Sequence, residues 1–265
     1  MTGGTGFLGT ELVPMVATEF DKVVVLSRLQ SNLANPYESL ANVEFIKYDP
    51  DNPEKLDVDL DSVLLHLGWS DLSDFNNKSH VESNLSSSIA LVDKFISREA
   101  SLISVVGTCM EYGHVYGPIS PHTNTNPLNM YALGKDTLHK YLTMRRSTEA
   151  FRLQWGRAFY LYGANETRNT VLNQLKACID NNASEFPMSG GEQLRDYIPV
   201  SKAAAMIVKT LNTQENRTYN ISTGKPISLR RLVEDYIRLN QATIKPVFGA
   251  YPYPNNEPFA FWGEI

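Results

Sequence analysis

Cysteine is scarce in this chain: Cys109 and Cys178 are the only two in 265 residues. Two cysteines cannot build a disulfide framework, so the fold must rest on a packed core, as in a reducing compartment. Positive charge is also short. Lys and Arg total 24 against 29 Asp and Glu, a net charge of −5. That balance argues against a nucleic-acid partner, since phosphate backbones are held by an excess of Lys and Arg. No apolar run reaches the roughly 18 residues that span a bilayer, and no basic-then-apolar leader opens the sequence. The five histidines (66, 80, 114, 122 and 139) show no metal-ligand spacing, so no metal is expected. G-x-S-x-G is missing, and Cys109 has no evident base beside it, which leaves nucleophilic hydrolysis without a candidate. These absences point to a cytoplasmic α/β protein without a membrane partner.

What is present is an alternation of strand and helix signals. Residues 22–26, 43–47, 62–67, 102–106 and 151–159 read as strands, several of them continuous β-branched runs suited to burial on both faces. Residues 9–20, 81–96 and 131–145 read as helices, with Pro14 close enough to a helix start to be tolerated. Such alternation implies a doubly wound parallel sheet with right-handed crossovers. After about residue 163 the pattern loosens, with helices expected at 169–181, 201–211 and 229–239. The expected division is a dinucleotide-binding domain over 1–165, rejoined by 200–226, and a smaller C-terminal substrate-binding lobe from 166–199 and 227–265. Ligands in such folds bind at the carboxyl edge of the sheet.

The chain opens on Thr2-Gly3-Gly4-Thr5-Gly6-Phe7-Leu8-Gly9 and then a helix. Glycines at 3, 6 and 9 let a backbone approach a pyrophosphate, with the helix N-terminus aimed at it. The next strand ends in Ser27-Arg28, where an NAD site would place an acid for the ribose hydroxyls. A hydroxyl and a guanidinium suit a 2′-phosphate, which favours NADP(H) and leaves NAD(H) open. Asp49, before Pro50, is placed to meet the adenine edge, or is simply a turn residue.

Tyr131 and Lys135 form the one Y-x-x-x-K of the chain, on a predicted helix, so both share a face. A buried strand ending in Gly107-Thr108 would bring a hydroxyl to the same edge. Ketone reduction by hydride needs a proton for the oxygen. A nearby ammonium lowers a tyrosine's pKa toward that task, and a threonine hydroxyl can orient the carbonyl. His66, in an apolar strand, reads as a core residue.

Taken in order, these segments resemble the extended short-chain dehydrogenase/reductase family, in its nucleotide-sugar branch. TGGTGFLG is similar to its cofactor loop, and HLGWS (66–70) to the strand end that passes the cofactor, with Leu67 and Gly68. Asn84 matches its helix Asn. GTCMEYG (107–113) and PLNMYALGK (127–135) resemble S-S-x-x-V-Y-G and P-x-x-x-Y-x-x-S-K, with Gly134 in place of Ser. RAFYLYGANE (157–166), GGEQLRDYIPV (190–200) and YNISTGKPISL (219–229) continue the match. The resemblance implies Thr108, Tyr131, Lys135 and Asn84 as catalytic groups. It implies cofactor contacts from Gly3, Thr5, Gly6, Phe7, Leu8, Gly9, Ser27, Arg28, Asp49, Pro50, Leu67, Gly68, Tyr131 and Lys135. Substrate contacts would come from Thr108, Glu111, Tyr160, Asn165 and Arg195, the last toward a phosphate. Tyr160 departs from the family's usual Asn.

The wording is nearest to reductases of dTDP-linked 4-keto-6-deoxyhexoses. A 4-epimerase or 4,6-dehydratase on the same scaffold is the alternative, although Met110-Glu111 offers one acid where dehydratases carry a pair. A non-catalytic dinucleotide sensor is a third reading, disfavoured by the intact Thr108, Tyr131 and Lys135. A homodimer through 81–96 and 131–145 is implied by the resemblance. Because the chain starts on the glycine turn, its first strand is expected to be missing. That reading makes 265 residues a fragment, with neighbouring strands unpaired and the protein unstable or inactive.

Overall fold

A computed structural model describes residues 1–28, 35–50, 52–57, 59, 62–213, 215–253 and 258–265. The first half runs α1 (Phe7–Glu19), β1 (Val23–Ser27), β2 (Val43–Lys47), β3 (Val63–His66), α2 (Ser86–Ile96), β4 (Leu102–Thr108), β5 (Gly117–Ile119) and α3 (Met130–Arg145). The second runs β6 (Arg152–Ala158), β7 (Tyr160–Tyr162), α4 (Val171–Asp180), β8 (Glu185–Pro187), β9 (Leu194–Arg195), β10 (Tyr197–Pro199) and α5 (Val200–Leu211). It ends with β11 (Arg217–Ile221), β12 (Ile227–Ser228), α6 (Leu229–Leu239), β13 (Lys245–Val247) and β14 (Phe261–Gly263).

The parallel sheet is of the Rossmann type. β1 pairs with β2, and β3, β4, β6 and β11 form a second parallel run. Thr2 joins the two, bridging both Leu26 and His66 in parallel. The Met1 carbonyl accepts from Leu26 N at 2.7 Å, and Thr2 N donates to Leu65 O at 3.0 Å. Across the sheet the order is therefore β2, β1, Met1–Thr2, β3, β4, β6, β11. Unpaired neighbours were expected at this point; Met1 and Thr2 supply backbone partners to Val24, Leu26 and Leu65, and among the described residues no full strand lies between β1 and β3. The chain order reverses here, and the glycine turn begins at the next residue.

Apolar side chains pack on both sheet faces. α2 and α3 cover one through Leu91, Phe95, Leu138 and Leu142, against Leu64, Ile103 and Trp155. α1 and α5 cover the other through Leu12, Val13, Ala203 and Ile207, against Val25, Leu65 and Ile221. The residues expected to form the smaller lobe hold their own cluster, in which Leu175, Phe186, Val233 and Ile244 are buried between α4, α6, β8 and β13.

Two local readings need correction. Pro14 is the eighth residue of α1, not part of its first turn, yet the helix is unbroken. It lies on the exposed side, where its ring and the one lost helix bond disturb no packing. The helix expected over 81–96 is in two parts: a π turn, His80–Leu85, precedes α2. Periodicity cannot register one extra residue in a turn, and such turns concentrate at functional sites.

Candidate functional site

The carboxyl ends of β1, β3, β4 and β6 open into one cavity of about 1600 Å³. Single-ligand pockets run about 300–1,000 Å³, so this one has room for two ligands side by side.

Its floor is the glycine turn. Gly3 has φ +69°, and a Cβ there would meet Gly68 N at 2.8 Å. A Cβ on Gly9 would stand 2.1 Å from Gly3 O, so both positions need glycine for a close backbone approach. Gly6 caps α1 without a side-chain bond, and the first turn carries no acid. The N–H groups there are left to an anion. This cradle fits the pyrophosphate of a dinucleotide. Thr5, Phe7, Leu8, Leu67 and Gly68 line the same floor. At the far end Ser27 is buried, Arg28 is exposed, and Pro50 joins them in the lining. Arg28 Nη1 lies 3.5 Å from Ser70 Oγ. Asp49 does not line the cavity; it accepts from Asn52 Nδ2 at 2.7 Å in a turn.

Thr108, Tyr131 and Lys135 converge where β4 ends and α3 begins, and all three line the cavity. The Thr108 hydroxyl accepts from Met110 N at 3.3 Å, and the same side chain acts on Tyr131 to lower its pKa. Lys135 is 2% exposed. Its Nζ donates to Val106 O at 2.8 Å and sits 4.3 Å from the centre of the Trp69 ring. Burial takes Lys135 down to about 7, against the opposing pull of Glu111. Burial likewise pushes the Tyr131 hydroxyl up, and Glu111 adds to this, whereas Arg168 and Thr108 act downward. Proximity of the lysine was expected to bring the phenol down; in this cage of Trp69, Phe75 and His80 rings, desolvation wins. Asn84 lies on the π turn, and its Oδ1 accepts from Ser70 N at 3.0 Å and Ser70 Oγ at 2.7 Å. It lines the cavity while pinning the 66–70 segment.

Of the expected substrate contacts, Thr108 and Tyr160 line the cavity and three residues do not. Glu111 is fully buried behind Thr108, ion-paired to Arg157 at 2.6 Å. Asn165 is exposed in a turn. Arg195 is 3% exposed. Its Nε donates to Tyr160 Oη at 3.2 Å, and its guanidinium packs 5.1 Å from the Phe261 ring. The Tyr that replaces the family's Asn at 160 thus takes up the arginine expected to meet phosphate. Asp196 accepts from Thr223 and Gly224 and ties a loop instead.

Arg168 is a cavity cation that sequence reasoning missed. Its guanidinium lies over Phe7 at 5.8 Å, is paired with the buried Glu166, and acts on Tyr131 electrostatically. Only the acid two residues before it could have hinted at an ordered cation. Trp69 and Phe75 were missed too, because an aromatic near a strand end reads as packing.

The profile of the NAD dependent epimerase/dehydratase family matches residues 1–222. The chain is 27% identical over 268 residues to dTDP-6-deoxy-L-talose 4-dehydrogenase (NAD(+)) of Aggregatibacter actinomycetemcomitans, covering 99% of this chain and 98% of that one. It is 23% identical over 265 residues to UDP-glucose 4-epimerase of Halalkalibacterium halodurans, covering 88% and 78%. Among solved structures, UDP-N-acetylglucosamine 4-epimerase from Methanobrevibacter ruminantium, in complex with UDP-N-acetylmuramic acid, has a TM-score of 0.83 at 23% identity, covering 100% and 88%. Among the described residues, no helix is long and apolar enough to cross a membrane.

Proposed function

The chain belongs to the NAD-dependent epimerase/dehydratase family, and from that premise we propose that it is a ketoreductase acting at C4 of a nucleotide-linked 4-keto-6-deoxyhexose. The observation that carries this reading is the convergence of Thr108, Tyr131 and Lys135 beside a glycine cradle in one cavity. Full-length likeness to a 4-dehydrogenase of a dTDP-6-deoxysugar supports it. A bound nicotinamide dinucleotide supplies the hydride chemistry. Thr108 orients the carbonyl oxygen, and Tyr131 gives that oxygen its proton. Lys135 holds the cofactor ribose and, once a ligand or water replaces lost solvation, favours the phenolate left behind. Arg168 binds the anionic part of the substrate, in the role first expected of Arg195.

Arg28 supports NADP(H), whereas the dehydrogenase relative is named for NAD(+). Arg28→Ala should raise KM for NADPH about tenfold and leave NADH nearly unchanged, as expected for one lost charge-assisted contact. Equal effects on both would remove the 2′-phosphate role.

The second reading is a 4-epimerase, favoured by the likeness to UDP-glucose 4-epimerase. The protein should be mixed with NADPH or NADH and a nucleotide-linked 4-keto-6-deoxyhexose, and absorbance of reduced nicotinamide followed. Stoichiometric loss supports reduction. Isomerisation of a nucleotide sugar without net loss supports the epimerase. Binding without turnover of any nucleotide sugar would sink both. Tyr131→Phe should lower kcat about 10²–10⁴-fold with cofactor affinity kept. A homodimer across α2 and α3 belongs to the same proposal, for Met130, Leu133 and Met144 of α3 are exposed.

A further inference from the structure

Behind the cavity, buried polar groups converge on Glu111. Its side chain is 0% exposed and that of Arg157 is 3%. Arg157 Nε donates to Oε2 at 2.6 Å and Trp155 Nε1 donates to the same oxygen at 3.1 Å. The other oxygen, Oε1, accepts from the backbone N of Thr108 at 2.8 Å. Gly107 makes the room: a Cβ there would stand 2.3 Å from Oε1 and 2.4 Å from Trp155 Nε1. Arg157 is itself fixed by Tyr112 Oη at 3.2 Å, Pro121 O at 3.0 Å and His139 Nδ1 at 3.3 Å. By spacing, Glu111, Asp136 and His139 could hold a metal ion. The guanidinium, bonded to Glu111 and His139, already supplies a cation there.

Ion pairs buried this deeply add little net stability, because desolvation offsets the attraction and apolar residues of similar volume pack as well. A stability role is therefore a weak reason for so costly a group. Its third donor gives a better one. Thr108 is the last residue of β4, where the strand gives way to a 3₁₀ turn, Cys109–Tyr112. Glu111 closes a capping box on that turn, and Thr108 lines the same cavity as Tyr131. A strand end is where backbone orientation is least fixed by ladder bonds. Rotation of that peptide would carry the hydroxyl away from the tyrosine.

We propose that Glu111, held by Arg157, is a positioning residue: its carboxylate fixes the Thr108 backbone and so aims the Thr108 hydroxyl at the substrate carbonyl. This rests on the reading of Thr108 as the carbonyl-orienting group.

Two paired variants separate positioning from folding. Glu111→Leu with Arg157→Met removes both charges and the acceptor. Glu111→Gln with Arg157→Met removes both charges and keeps an oxygen for Thr108 N. For each, kcat and KM are measured with reduced cofactor and the nucleotide 4-ketosugar, together with hydrogen exchange of the Thr108 amide by NMR. The Leu/Met pair should fold, lose about tenfold or more in kcat with KM nearly constant, and exchange Thr108 faster. The Gln/Met pair should keep most of kcat and a protected amide. Equal kcat in the two pairs, a protected Thr108 amide in the Leu/Met pair, or its failure to fold while the Gln/Met pair folds, would overturn the proposal. If the wild-type protein turns over no nucleotide sugar, the reaction assignment falls by itself, and amide exchange still decides whether Glu111 fixes Thr108.

Discussion

Lys135 carries a charge that folding alone does not favour: it is 2% exposed, and burial draws its pKa down to about 7. Replacing it with Met should raise the thermal midpoint of the cofactor-free protein by a few degrees while abolishing turnover, the exchange of stability for activity typical of working sites. A lower midpoint in Lys135→Met would contradict this. His66 and His139 take up protons at lower pH than a solvent-exposed histidine. Burial takes them down to about 3 and about 4, and Lys135 and Arg157 respectively add to it. Both stay neutral in the folded protein below the pH near 6.5 at which the unfolded chain takes up protons. Their contribution is complete above that pH and is lost as pH falls toward 4, by roughly 1.4 kcal/mol per pH unit for each. Urea midpoints should therefore drop steeply between pH 6.5 and 4.5, and a flat profile would argue against neutral buried imidazoles. At this scale the sequence was most legible where spacing is local. The i, i+4 step of Tyr131 and Lys135 determines a shared helix face whatever the rest of the chain does. Glu111 and Arg195 were misplaced because a residue beside a strand end can face the cavity or the core, and its long-range partners decide which. Arg157 draws Glu111 inward, and Tyr160 takes Arg195.

The crossing of α3 with the π turn explains a departure from the family pattern. At Gly134 a Cβ would lie 2.6 Å from His80 O and 3.0 Å from Trp69 Cζ2. The family's Ser is excluded by backbone on one side and by the indole that covers Lys135 on the other. Gly134→Ser should destabilise the protein by about 1–3 kcal/mol, as overpacking does, and should disturb Tyr131 as well. Unchanged stability by denaturant titration would show that the two segments can separate at no cost. Strands β1, β2, β4 and β6 and helix α3 were legible within one or two residues, since continuous β-branched runs and helical period speak for themselves. The π turn was not, because the signal that makes it is a tertiary contact, and short strands such as β5, β12 and β14 depend on partners far along the chain.

Over the whole molecule, the groups proposed to bind ligand gather where the strand order reverses, and Met1–Thr2 mark that point. Since these two residues bridge β1 to β3, the sheet should unfold in one cooperative transition, and a broad, probe-dependent transition would contradict this. In the proposed reaction, hydride passes to C4 of a nucleotide-linked ketosugar in this cavity. Its most direct test uses dinucleotide carrying deuterium at the transferring position, incubated with the protein and a nucleotide-linked 4-keto-6-deoxyhexose, with the product examined by mass spectrometry and NMR. One deuterium at C4 for each reduced cofactor consumed is the result required. Product without deuterium at C4, or loss of reduced cofactor without a reduced sugar, would contradict it.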